Sequence, residues 1–218
     1  LCTPTMLSKG FMKPQDMVLI DLEGKHVRGE RRATSEMRLH VYIYQQRPEI
    51  YSVVHVHPPH ATAFAVTRKN LPKGILPEAE INLGEVPLAP YRTPGTWSFA
   101  HSIAPWVLTH DAFLLSNHGA VTVGQDPYDA YYRMETLDQY CRILLLAQQA
   151  GDWRQINPAR MQDLLMLKEK AGVRDYRPRD DLYSTSVRPT TDREDLPSQK
   201  PFSPHPGPLT DAPKLGPL

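Results

Sequence analysis

Cysteine is nearly absent: Cys2 and Cys141 are the only two in 218 residues. They are too few and too far apart for a disulfide framework or a CxxC metal pair, so a reduced, cytoplasmic setting is expected. An excess of one charge is also missing, with 25 Lys+Arg against 24 Asp+Glu. That balance gives no general attraction for nucleic acid, an acidic partner or a membrane surface. Long apolar runs are lacking as well; none approaches the roughly 20 residues that cross a bilayer, and no stretch has the form of a signal peptide. The chain opens on Leu1-Cys2-Thr3-Pro4-Thr5 without an initiating Met and reads as a fragment or a processed form.

Proline, in contrast, is plentiful and unevenly placed. Nine prolines fall in residues 174–218, where periodic apolar spacing stops. Such a segment buries too little surface to offset its ordering entropy and reads as a disordered tail. Residues 1–173 are long enough for one domain with its own core.

Within that domain strands and helices alternate. Met17–Leu22 reads as a strand, and Thr34-Ser35 opens a helix that runs to about Gln46 and stops at Arg47-Pro48. Tyr51–His57 is a strand rich in β-branched residues, and Pro58-Pro59 starts another helix. A helix is expected from Trp97 to Leu108 with Pro105 kinking it, then a strand or hairpin over Phe113–Val123. Asp126-Pro127 starts a long helix with apolar residues three and four apart, and a last helix spans about Pro158–Ala171. The result is an α/β fold, an antiparallel or mixed sheet covered by helices.

His55 and His57 stand two apart in a predicted strand, so both imidazoles leave the same face. Two nitrogens so placed can converge on one ion at about 2.0–2.1 Å each. His118, followed by the side-chain-free Gly119, is the candidate third ligand. A surface pair or a hydrogen-bonded core pair is the alternative reading, because nine histidines make chance spacing easy. His60 is either a decoy or an outer neighbour of the site. Glu36, in the first turn after Thr34 and Ser35, suits the helix dipole on structural grounds alone. It also suits a carboxylate that faces a metal as ligand or general base. The same helix start, with the hydroxyls of Thr34 and Ser35, would suit a phosphate.

Together these segments resemble a known family. Ala33-Thr34-Ser35-Glu36-Met37-Arg38-Leu39-His40, Arg47-Pro48, Val53-Val54-His55-Val56-His57 and Ala61-Thr62-Ala63 are similar to the class II aldolase/adducin family. Ala89-Pro90-Tyr91-x-Thr93-x-Gly95-Thr96 and Asn117-His118-Gly119-Ala120 follow in the same order, so the resemblance spans about residues 1–151. It implies a three-layered α/β/α sheet covered by helices, a small-molecule substrate and a homotetramer. It also implies one divalent ion, Zn2+ with Mn2+ or Co2+ as alternatives, held by His55, His57 and His118. Glu36 matches the catalytic acid/base, and Thr5, Thr34 and Ser35 match the phosphate side. Related epimerases carry Asp where Glu36 stands.

The implied activity is that of a metal-dependent lyase of the aldolase type. It would cleave or form a C–C bond in a small hydroxy-carbonyl compound or sugar phosphate through a metal-stabilised enediolate. Dehydratase, decarboxylase or epimerase chemistry on the same scaffold is the nearer alternative, and a non-catalytic adducin-like interaction module the further one. Tyr91, Tyr176 and Tyr183 are candidates for the acid that serves the departing aldehyde. The chain departs from the family before Thr3-Pro4-Thr5, where an N-terminal helix and a Gly-rich loop are expected. Met6 also stands where an aldolase of the family has Gly, which would crowd the phosphate region.

Overall fold

The structure, a computed structural model, describes residues 1–151, 153–170, 172, 173 and 175. The tail expected over 174–218, with Tyr176 and Tyr183, lies outside the described residues apart from Asp175. Asp175 accepts a 3.0 Å bond from the buried Lys168 ammonium.

The N-terminal segment is pinned by backbone pairing. Cys2 exchanges hydrogen bonds with Val18, Thr34 N–H donates to Thr3 O, and Thr5 N–H donates to Arg32 O. Two short 3-10 turns, Lys9–Phe11 and Pro14–Asp16, lead into β1 (Leu19–Ile20), which pairs antiparallel with β2 (His26–Arg28). The strand expected over Met17–Leu22 is therefore shorter than the sequence suggests. Its partner β2 is exposed at every position and carries no alternating signal.

The central sheet has the order β3-β6-β5-β4: β3 (Ser52–Val56), β4 (Leu88–Ala89), β5 (Ala112–Leu115) and β6 (Gly119–Gly124). Pairs β3–β6 and β5–β6 are antiparallel, while β4–β5 is parallel. Helix α1 (Met37–Gln46) precedes β3, α2 (Pro59–Thr67), α3 (Pro77–Asn82) and α4 (Trp97–Ala100) run between the strands, and α5 (Pro127–Ala150) and α6 (Pro158–Lys170) follow them.

Strand alternation sorts the interior into two cores. Ala112, Leu114, Ala120 and Val54 face α2, α3 and α5. Phe113, Leu115, Val121 and Val53 face α1 and the α4 region. Helices thus cover both faces, which is the expected three-layered α/β/α architecture. Burying a side chain such as Phe113, 1% exposed, is worth about 1.5–3 kcal/mol. Strands β5 and β6 are buried along their whole lengths, which explains their apolar character, and the one polar residue between them, Thr122, donates its hydroxyl to Ala130 O at 2.6 Å.

Two elements differ from the sequence reading. The helix expected from Trp97 to Leu108 is broken: α4 ends at Ala100, a 3-10 turn follows over His101–Ile103, and turns continue to Thr109. Pro105 has no N–H to continue the ladder, and its ring would collide with the carbonyl four residues back. Helix α3 has six residues, too short for a periodic signal.

The start of α5 follows its sequence signals, with the Asp126 carboxylate accepting from Asp129 N–H at 2.9 Å. The helix stop at Arg47 also has a second purpose. Its buried guanidinium reaches Glu49 at 2.8 Å and Asp111 at 2.7 Å, tying the end of α1 to the start of β5.

Candidate metal centre and active site

His55 lies near the end of β3 on the face turned toward α1, and His57 follows just beyond the strand. His118 occupies the tight turn between β5 and β6, its N–H bonded to Leu115 O at 3.0 Å. Because β3 pairs with β6, with His55 opposite Val121, the turn is carried to the end of β3. His118 Nε2 comes to rest 3.1 Å from His55 Nε2 and 3.3 Å from His57 Nε2.

Glu36 completes the group. It occupies the N-cap position of α1 but makes no side-chain cap bond. Its Oε2 instead lies 3.2 Å from His118 Nε2 and in hydrogen-bonding contact with His55 Nε2. The four candidate ligand atoms lie within 4.8 Å of one another.

The tautomer of His55 follows from its neighbour. Its Nδ1 is 2.8 Å from Ala120 O, and a carbonyl can only accept, so Nδ1 carries the proton. In a neutral ring that leaves Nε2 without a hydrogen and able to serve as a ligand, and its contact with Glu36 Oε2 then needs a shared proton or a cation between the two atoms. An outer N–H held by a carbonyl is the usual arrangement of a metal-ligating imidazole. Three imidazole nitrogens this close, beside a carboxylate, repel one another unless a cation or shared protons lie between them. The donor set of three nitrogens and one oxygen fits a divalent ion of the zinc type.

Gly119 explains how His57 fits. A Cβ there would collide with the His57 ring and would lie 2.7 Å from Val56 O. The absent side chain is a requirement of close approach, with no unusual backbone angle involved. Phe99 walls the other side, its ring centroid 5.1 Å from that of His118 and 6.2 Å from that of His55.

Electrostatics keep the group ready for a cation. Burial pushes the Glu36 carboxyl upward, but hydrogen bonds and charge from His118 and His55 outweigh it and hold the group well below the usual carboxylate range. Burial lowers His57, with the neighbouring His55 and His118 adding to the effect. Behind the cluster His40, whose ring centroid is 6.5 Å from that of His55, is pushed down to about 4, chiefly by burial.

This has a consequence for acid stability. An unfolded His titrates near about 6.5, so as pH falls from there toward 4 the unfolded chain binds a proton at residue 40 that the native state refuses. The native state loses stability across that window. His40→Gln is expected to flatten that part of the urea-unfolding free energy against pH in metal-free protein. An unchanged slope would show that burial at position 40 does not govern it.

The phosphate-side candidates are brought together in part. Pro4 bridges to Ala33, which sets Thr5 beside the segment leading to Thr34 and Ser35. Thr34 Oγ1 accepts from Glu36 N–H at 3.4 Å, and Thr34 O accepts from Met37 N–H at 3.2 Å. Two N–H groups of the helix start are thus already used, leaving the Thr34 hydroxyl proton and the exposed Ser35 to meet a ligand.

His60 stands outside the cluster. Its Nδ1 lies 2.8 Å from Asp138 Oδ2, while Asp138 Oδ1 caps α2 through the N–H groups of His60 and Ala61. Tyr91 is exposed, and nothing in the structure assigns it to the acid role. The carbonyl of Ala120 and the ring of Phe99 were not foreseen. A backbone carbonyl leaves no trace in side-chain identity, and a lone Phe reads as core.

The α/β/α domain thus gathers one carboxylate and three imidazoles that could hold a metal ion at the end of its sheet. This chain belongs to the class II aldolase and adducin family, whose N-terminal domain matches residues 1–145. It is 36% identical over 141 residues to an L-fuculose phosphate aldolase of Methanococcus maripaludis, covering 65% of this chain and 76% of that protein. It is 29% identical over 150 residues to a 3-oxo-tetronate 4-phosphate decarboxylase of Escherichia coli, covering 67% of this chain and 70% of that one. Among solved structures it resembles an L-fuculose 1-phosphate aldolase with a TM-score of 0.70 and 29% identity, over 78% of each chain. No helix among the described residues is long and apolar enough to cross a membrane.

Proposed function

We propose that this chain carries the active site of a metal-dependent lyase of the aldolase type, acting on a small hydroxy-carbonyl compound or sugar phosphate. The convergence of the three imidazole Nε2 atoms with the Glu36 carboxylate carries this reading. His55, His57 and His118 would hold the ion; zinc is favoured by the donor set, with manganese and cobalt able to replace it. Bound there, the ion would supply Lewis acidity to an oxygen of the substrate carbonyl.

The protein's own groups supply the rest. Glu36, ionised at neutral pH, would take and return the proton on the carbon beside that carbonyl. Phe99, whose ring packs against His118, would shield one side of the cluster from water. Thr5, Thr34 and Ser35 would bind the substrate's phosphate. A homotetramer in a cytoplasmic setting belongs to the same proposal, in keeping with two free cysteines, of which Cys141 is buried.

Glu36→Gln tests the assignment. Gln keeps an oxygen and the shape but cannot accept the proton, so metal content should stay while substrate proton exchange falls about 10²–10⁴-fold. Exchange measured by NMR in deuterated buffer at the wild-type rate would remove Glu36 from the acid/base role. The likeness to a decarboxylase supports a second reading, loss of carbon dioxide at the same site. Assays of a sugar phosphate and a 3-oxo acid phosphate side by side separate the two.

A further inference from the structure

Three non-glycine residues among those described hold a left-handed backbone: Met6, Arg68 and Asn117. Two of them are bonded to each other. Arg68 Nε donates to Asn117 Oδ1 at 2.8 Å, and Asn117 N–H donates to Ala65 O at 3.0 Å. Asn117 immediately precedes His118, and its φ of 56° reverses the chain from β5 into β6. Asn tolerates this conformation, whereas Arg, with φ 54° at the end of α2, adopts it only where its surroundings over-determine it.

The other end of α2 has its own attachment. Its first turn is capped by Asp138, and His57 lies two residues before Pro59. Helix α2 therefore runs from one candidate ligand to the turn that carries another. Its start follows His57 in the chain, and its end grips Asn117 through two hydrogen bonds. The Nε2 atoms of the two histidines are 3.3 Å apart.

We propose that Arg68 is a positioning residue that, through Asn117 and the end of α2, sets His118 at the distance from His57 that one ion requires; this rests on the metal-centre reading above. An exposed hydrogen bond contributes little to folding stability. Its effect here lies in geometry, because a ligand imidazole on an unrestrained turn must be ordered each time an ion binds. Arg68 touches neither the ion nor the substrate.

The test uses Arg68→Gly, since glycine accepts the left-handed backbone without strain and the change removes only the side-chain bond to Asn117, leaving the Ala65 carbonyl bond in place. Zinc affinity of the purified chain of residues 1–218, measured by competition with a chelating dye, is expected to fall at least about 10-fold, the lower end of what losing an outer partner of a ligand costs. The melting temperature of metal-free protein should stay level or rise, a combination that a merely structural role would not produce. Arg68→Lys, which keeps a donor, should recover most of the affinity.

Zinc affinity unchanged in Arg68→Gly, or falling only in step with a lower melting temperature, overturns the positioning role and leaves the metal centre standing. Wild-type protein that binds no zinc overturns the metal centre and the positioning role together.

Discussion

Replacing His118 by Ala should abolish stoichiometric binding of the divalent ion while leaving the metal-free fold intact. His118 is the middle of the cluster: its Nε2 is within 3.3 Å of both other imidazole nitrogens and of Glu36 Oε2. Its loss leaves His55 and His57 without the donor that bridges them. Loss of an outer partner already costs 10–100-fold in affinity, so the loss of an inner donor should exceed about 100-fold. Zinc at 100 times its dissociation constant should stabilise wild-type protein by about 2.7 kcal/mol and the variant by close to nothing. In the absence of metal the variant should still fold, because the relief of crowding among the three nitrogens offsets part of what the lost contact with Glu36 costs. Mass spectrometry of bound metal, with melting curves in chelator and in zinc, checks both statements. Full zinc occupancy in the variant would remove His118 from the ligand set.

Gly119→Ala should be the most damaging single-carbon addition near the site. The new Cβ would meet the His57 ring and Val56 O, the latter at 2.7 Å, and a paired strand backbone cannot move aside. Overpacking of this kind costs about 1–3 kcal/mol of stability. The ring is the softer of the two neighbours, so His57 should swing away and metal affinity should fall with it. His57→Ala separates the two effects. If the collision is the cause, Gly119→Ala should cost much less stability when His57 is already Ala, and a double-mutant cycle reads the difference. Additive costs would place the damage at the Val56 carbonyl instead.

Much of this arrangement was legible in the residues themselves. Period-2 alternation across Val53–His57 put both histidines on one face, and Asp126-Pro127 marked the start of α5. For Glu36 the residues left two readings open, a dipole-favoured acid or a metal-facing carboxylate, and the resemblance was needed to choose between them. Its side chain in fact turns away from the helix to the histidines. What stayed hidden depends on backbone atoms and tertiary closure. The Ala120 carbonyl that fixes the His55 tautomer has no side-chain signature. The break after Ala100 depends on how Pro105 is accommodated, which periodicity does not report. Arg68 drew no reading from the sequence, since a left-handed backbone and a contact 49 positions along the chain leave no mark in residue identity.

The candidate ligands and the candidate acid/base come from different layers. His55 and His118 are fixed by the sheet, whereas Glu36 stands at the N-cap of a helix packed outside it and meets them only through its side chain. Such a division lets a lineage change its reaction without rebuilding its ion site. If the proposed roles hold, substitutions at the start of α1 would alter where a proton is delivered while the imidazoles kept the same ion. One scaffold could then diverge into several enzymes by small steps, each intermediate remaining folded and metal-loaded.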